Sequence, residues 1–96
     1  MAAYINLWRW TEQGIRNVKD TESRVRGIVE GAQKAGGKMT VYWTQGQYDL
    51  VSIVEGLDED AAMALTLSIG KAGNAHGETL RAYGMEDMER ILKRVT

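Results

Sequence analysis

The side chains best equipped for chemistry in this 96-residue chain sit on short segments of alternating polarity. Asn6, Asp49, Thr79 and Arg81 supply a carboxamide, a carboxylate, a hydroxyl and a guanidinium, and Tyr4, Trp8, Tyr42 and Tyr83 lie close to them on the same segments. A cavity walled by aromatic rings with a few convergent polar groups is the profile of a small-molecule site. Arg81 would hold a carboxylate or enolate through paired N–H donors, and Asp49 would act as a base. Two structural alternatives stand beside this. Asp49 and Arg81 could form an ion pair between adjacent strands, or Asp49 could tie down its own turn through local hydrogen bonds.

Other chemistries are poorly served. The chain has no cysteine, so it offers neither a thiolate nucleophile nor a disulfide. His76 is the single imidazole, and one histidine without cysteine does not assemble a zinc site of the usual kind. No metal and no cofactor is expected, and a surface or loop-end position suits His76. The stretch Gly31 to Lys38 has a superficial likeness to a phosphate loop. It has the wrong glycine spacing, no Ser or Thr after the lysine, and leads from helix into strand. Ser23, Ser52 and Ser68 are not in a nucleophile-elbow context.

The elements that must position these residues follow from periodicity. Ala3 to Trp10 alternates, with Ala3, Ile5 and Leu7 on one side and Tyr4, Asn6, Trp8 and Trp10 on the other, which predicts a strand. Thr11 to Asp20 is a polar connection with room for a helical turn. A helix capped by Asp20 or Thr21 carries Val25, Ile28, Val29, Ala32 and Ala35 on one stripe and stops at Gly36-Gly37. Strands follow over Lys38–Thr44 and Tyr48–Glu55, joined by Gln45-Gly46-Gln47 as an antiparallel hairpin. Asp58, Glu59 and Asp60 open a second helix that runs to about Ala72, where negative charge suits the helix dipole. A fourth strand, Glu78–Tyr83, and a last helix, Met85–Val95, complete the chain.

The order is βαββαβ plus a C-terminal helix: one α+β domain over residues 1–96, ferredoxin-like, with a four-stranded antiparallel sheet. Two helices cover one face of such a sheet and leave the other open. On the open face this register puts Tyr4, Trp8 and Tyr42 beside Val51 and Ile53, with Asn6, Asp49, Thr79 and Arg81 among them. Tyr48 points the other way, beneath the helices. An apolar patch of that size calls for a partner, and a two-fold homodimer stacking sheet on sheet is the simplest closure. The alternative cover is the C-terminal helix folded across its own sheet.

Trp10-Thr11-Glu12-Gln13-Gly14-Ile15-Arg16-Asn17, Gly37-Lys38, Tyr42-Trp43-Thr44-Gln45-Gly46-Gln47-Tyr48-Asp49, Gly73-Asn74 and Thr79-Leu80-Arg81-Ala82 resemble the GYD-domain family over essentially the whole chain. The family takes its name from the Gly-x-Tyr-Asp turn, here Gly46, Tyr48 and Asp49. The resemblance implies a ferredoxin-like fold of the dimeric α/β-barrel kind and no particular activity. The same turn is similar to one in amino-acid-binding effector domains of leucine-responsive-type regulators, whose DNA-binding helix-turn-helix this chain has no room for. His76 departs from the family's pattern, so the resemblance lends it no role.

Composition narrows the partners. A net charge of −1 and a pI near 5.8 attract no polyanion over long range. The sheet aromatics Tyr4 and Trp8 could stack bases, but the third strand lacks the aromatic-rich motif of RNA-recognition sheets, so no nucleic acid is expected. The longest nearly apolar stretch, Ala61 to Ile69, is far short of a membrane span, and no signal peptide precedes Tyr4, so a cytoplasmic protein is expected. The expected function is an oligomeric domain that binds a small, carboxylate-bearing molecule in a sheet-face or subunit cavity. A cofactor-free oxygenase or isomerase using that cavity is the alternative.

Overall fold

The computed structural model describes residues 2–96. Strand β1 (Ala3–Trp10) leads through a short helix α1 (Glu12–Arg16) and a 3-10 turn (Val18–Asp20) into α2 (Thr21–Lys34). The hairpin of β2 (Lys38–Trp43) and β3 (Leu50–Glu55) precedes α3 (Glu59–Ala72), β4 (Ala75–Ala82) and α4 (Met85–Leu92). The sheet order is β2-β3-β1-β4 with every neighbouring pair antiparallel, the ferredoxin-like α+β arrangement expected from the sequence.

Local chemistry explains the boundaries. Asp58 accepts the Ala61 N–H at 2.8 Å and caps α3, which ends at Gly73 with a left-handed φ of 84°. Asp20 occupies the cap position of α2 but makes no side-chain cap bond, because the 3-10 turn already feeds the chain into the helix. The loop from β2 to β3 runs longer than the sequence predicts. Thr44 donates its N–H to the Asp49 carbonyl at 2.8 Å and its hydroxyl to the Tyr48 carbonyl at 2.6 Å, so β3 starts at Leu50. Strand β4 starts earlier than predicted, at Ala75. Gly77 is not a break; a Cβ there would sit 2.0 Å from the Leu7 carbonyl oxygen, and its absence lets the two strands close up.

The main correction concerns the faces of the sheet. Tyr4, Asn6, Trp8 and Trp10 point toward α2 and α3, not toward the open side. Ala32, Met39, Val54, Leu57 and Ala62 form one core cluster with Tyr4, Ile28 and Leu65 against it, and Trp8, Leu50 and Ala75 form another with Trp10, Val25 and Ile69. The open face carries Ile5 opposite Ile53 and Leu80, and Leu7 opposite Val51 and Glu78, with Tyr42 beyond Val51. Alternation separates two faces but does not say which is covered. A buried asparagine is tolerable when hydrogen-bonded, and Asn6 is; the greasier stripe is then the one left uncovered.

Helix α4 does not cross its own sheet. It stops at Leu92, short of the expected Val95, and stands off the body, with Met85 90% and Leu92 59% exposed, and the chain extends 51 Å along its longest axis. No helix among the described residues is long and apolar enough to cross a membrane.

Candidate functional site

Helices α2 and α3 both pack on the sheet, and Ala32 of α2 and Ala62 of α3 belong to one core cluster. Between them lies a cleft of about 410 Å³, floored by Trp8, Met39, Val41, Leu50 and Ser52 and flanked by Arg24, Ile28 and Gly31 on α2 and by Leu65, Ser68 and Ile69 on α3. Its size is that of small-molecule pockets and its walls are mostly apolar. No carboxylate, imidazole or phenol lines it among the described residues; Arg24 is its one charged side chain.

A chain of hydrogen bonds ends on the floor at Ser52 and Trp8. Thr79 donates its hydroxyl to Asn6 Oδ1 at 2.9 Å, and Asn6 Nδ2 donates to Ser52 Oγ at 2.8 Å. The Trp8 indole N–H also donates to Ser52 Oγ, at 3.0 Å. Asn6 and Ser52 are 3% and 1% exposed, so these bonds are what lets two polar groups sit beneath the helices. A serine hydroxyl has two lone pairs and one proton. Both lone pairs of Ser52 are taken, while no acceptor among the described residues takes its proton. At the wall, Arg24 gives one N–H to the Asn17 carbonyl at 3.0 Å, and its buried Nη2 has no partner among the described residues. Arg24 Nη2 and the Ser52 proton are thus donors without an acceptor among the described residues, in a cleft whose walls are mostly apolar.

The residues picked from sequence part company. Trp8 and Asn6 join the chain of hydrogen bonds, Trp8 at the cleft and Asn6 beside a smaller hollow of about 250 Å³ shared with Tyr4 and Thr79. Arg81 lies at the edge of the helix side, its guanidinium 5.7 Å from the Tyr4 ring and 4.5 Å from the Tyr83 ring. Tyr42 alone of the set projects from the open face, opposite Val51. Asp49 and Arg81 form no ion pair: Arg81 stands opposite Tyr4, whereas Asp49 meets Trp10, six residues along β1 and about 20 Å away at the rise of a strand.

The Gly-x-Tyr-Asp turn proves to be a set of ties. Gly46 has φ 107°, a conformation that favours glycine. Asp49 Oδ2 accepts the Trp10 N–H at 2.8 Å while its own N–H donates to the Trp8 carbonyl, so the carboxylate continues the ladder past the end of β3. The Asp49 carboxylate is thus bonded to another strand and not within its own turn. Tyr48 does not lie beneath the helices. Its hydroxyl donates to Glu78 Oε1 at 2.6 Å on the open-face side, with the Arg9 guanidinium 5.1 Å from its ring. The Glu78 carboxylate, accepting that hydrogen, holds the phenol above its ordinary pKa of 10.0.

A second set of ties closes the end of the cleft. Thr11 donates its hydroxyl to the Gly73 carbonyl at 2.5 Å and its N–H to the Asn74 carbonyl at 3.1 Å. Gln13 Nε2 donates to the Ala72 carbonyl and to Asn74 Oδ1, both at 3.0 Å. Trp10, Ala72 and Asn74 are walls of the cleft, so this clasp sets its end. Ser52, Arg24, Gly27 and Gly31 line the cleft without being among the site residues expected from the sequence. Ser52 did leave a signal, being the one polar residue inside Leu50-Val51-Ser52-Ile53-Val54.

The fold and the cleft define a small ferredoxin-like α+β domain with an apolar helix–sheet pocket. The GYD domain model matches residues 4–92, and the chain belongs to the GYD domain family. It is similar to TTHA0845 from Thermus thermophilus, whose crystal structure superposes with a TM-score of 0.54 at 24% identity, over 88% of this chain and 95% of that one. No functionally curated protein matches the chain.

Proposed function

We propose that this protein is a self-associating binding module that takes a small, largely apolar molecule bearing a carboxylate or carbonyl oxygen. Its place is the cleft between α2, α3 and the sheet, rather than the open face. The observation that carries this is the unpaired Arg24 Nη2, together with a Ser52 hydroxyl that accepts two bonds and donates none among the described residues, in a cleft of about 410 Å³ whose walls are mostly apolar. An acceptor oxygen on the ligand would meet them, and the apolar body would be desolvated by Trp8, Val41, Leu50 and Ile69. Binding is favoured over acid–base catalysis because no carboxylate, imidazole or phenol lines the cleft among the described residues.

Self-association rests on a separate observation. Ile5, Leu7, Val51 and Ile53 form a continuous stripe on the uncovered face, extended by Tyr42 and Leu80, and are rimmed by Lys38, Glu55, Arg9 and Glu78. An apolar patch with a polar rim is the anatomy of an interface. A second copy stacked face to face about a two-fold axis would cover it.

Two measurements test these readings. Monocarboxylic acids and ketones of increasing apolar bulk are screened for a rise in melting temperature. A ligand at a hundred times its Kd should raise it by roughly 10 °C through mass action; a screen in which none does so sinks the binding reading. Native mass spectrometry should report a dimer that Leu7→Lys dissociates. A monomeric mass for the parent chain at micromolar concentration overturns the assembly.

A further inference from the structure

The cleft opens to solvent between two rows of small residues. Gly27 and Gly31 lie on the α2 side and Ser68 and Ala72 on the α3 side, all four exposed and all four lining the cavity. Glycine is the poorest helix former after proline, so two of them four residues apart in α2 need a reason. Crowding does not supply one, since a Cβ at either position would meet nothing within 4 Å. A large side chain at Gly31, on the flank of α2 that faces α3, would instead lie across the gap. Below that gap is Ser52, 1% exposed, which accepts two hydrogen bonds and donates none among the described residues.

We infer that Gly27 and Gly31 are specificity-determining residues that keep the mouth of the cleft open for an elongated ligand. Its acceptor head reaches the Ser52 hydroxyl, its first carbons fill the apolar cleft, and an unbranched hydrocarbon tail leaves between α2 and α3. The ligand class is thus a medium- or long-chain monocarboxylate or a ketone with a like tail, and short acids occupy only the inner part. This inference rests on the binding reading above and adds to it a preference for chain length and the residues that set it.

The test uses decanoate and butyrate as probes, titrated into the full chain and into Gly31→Leu and Gly27→Ala/Gly31→Ala, with binding read by calorimetry and folding by thermal melting. Decanoate should bind the parent chain more tightly than butyrate. Gly31→Leu should weaken decanoate about tenfold or more, the loss of the contacts of a few methylene groups, while butyrate binding is unchanged. The double alanine variant should melt about 4 °C or more above the parent, since each alanine removes a helix penalty where space is free, and it keeps the test valid if leucine perturbs the fold. Should neither acid bind the parent, the binding reading itself fails. If decanoate binds Gly31→Leu as tightly as the parent, or if both acids weaken alike, the mouth is not a length filter and this inference is overturned.

Discussion

Asp49 Oδ2 accepts the backbone N–H of Trp10 at 2.8 Å, thirty-nine residues away in sequence, and so ties the β2–β3 loop to the strand that floors the cleft. Asp49→Ala leaves that partly buried N–H without a partner. The expected cost is about 1–3 kcal/mol, with Asp49→Asn losing less because it keeps an acceptor oxygen. Urea melts of the two variants check this. Equal stability of Asp49→Ala and the parent would show that the tie contributes nothing.

Ser52 is the acceptor for two buried donors at once, so Ser52→Ala strands both Asn6 Nδ2 and the Trp8 indole N–H. A loss of about 2–5 kcal/mol is expected, more than deleting a surface serine. Combining it with Asn6→Leu should cost less than the sum of the two single changes, since they share a bond. Additive losses in denaturant melts would contradict the network.

Gly14 lies where α1 meets the end of α3, and a Cβ on it would fall 1.8 Å from the Asn74 carbonyl oxygen. The clash is with backbone that Thr11 and Gln13 hold in place, so it cannot be relieved by a rotamer change. Gly14→Ala is expected to cost about 4 kcal/mol or more. A variant that melts within a few degrees of the parent would mean that the clasp is loose.

Tyr48 donates to the Glu78 carboxylate and so keeps its proton to higher pH than an ordinary tyrosine of pKa 10.0. Because the raised pKa belongs to the folded chain, the stabilisation is complete below the ordinary tyrosine range. It is lost as pH climbs through the raised value. Ultraviolet titration at alkaline pH should show a late tyrosine ionisation, which Glu78→Gln should move to lower pH. A Glu78→Gln profile that superimposes on the parent's would exclude the bond as the cause.

Much of this protein was determined by its sequence alone. Period-two runs mark four strands and their order along the chain, Asp58 marks the start of α3, and Gly46, Tyr48 and Asp49 carry the family. These are local properties, written in neighbouring residues. The tertiary structure alone decided which side of the sheet the helices cover. Period two yields two equivalent faces, and Asn6 becomes a core residue only because Ser52 and Thr79, 46 and 73 positions away, satisfy its amide. The same holds for the cleft. It exists because α2 and α3 are held apart on a shared sheet, a distance no run of residues encodes, and the polar groups that face it come from strand and helix segments that meet only in the fold.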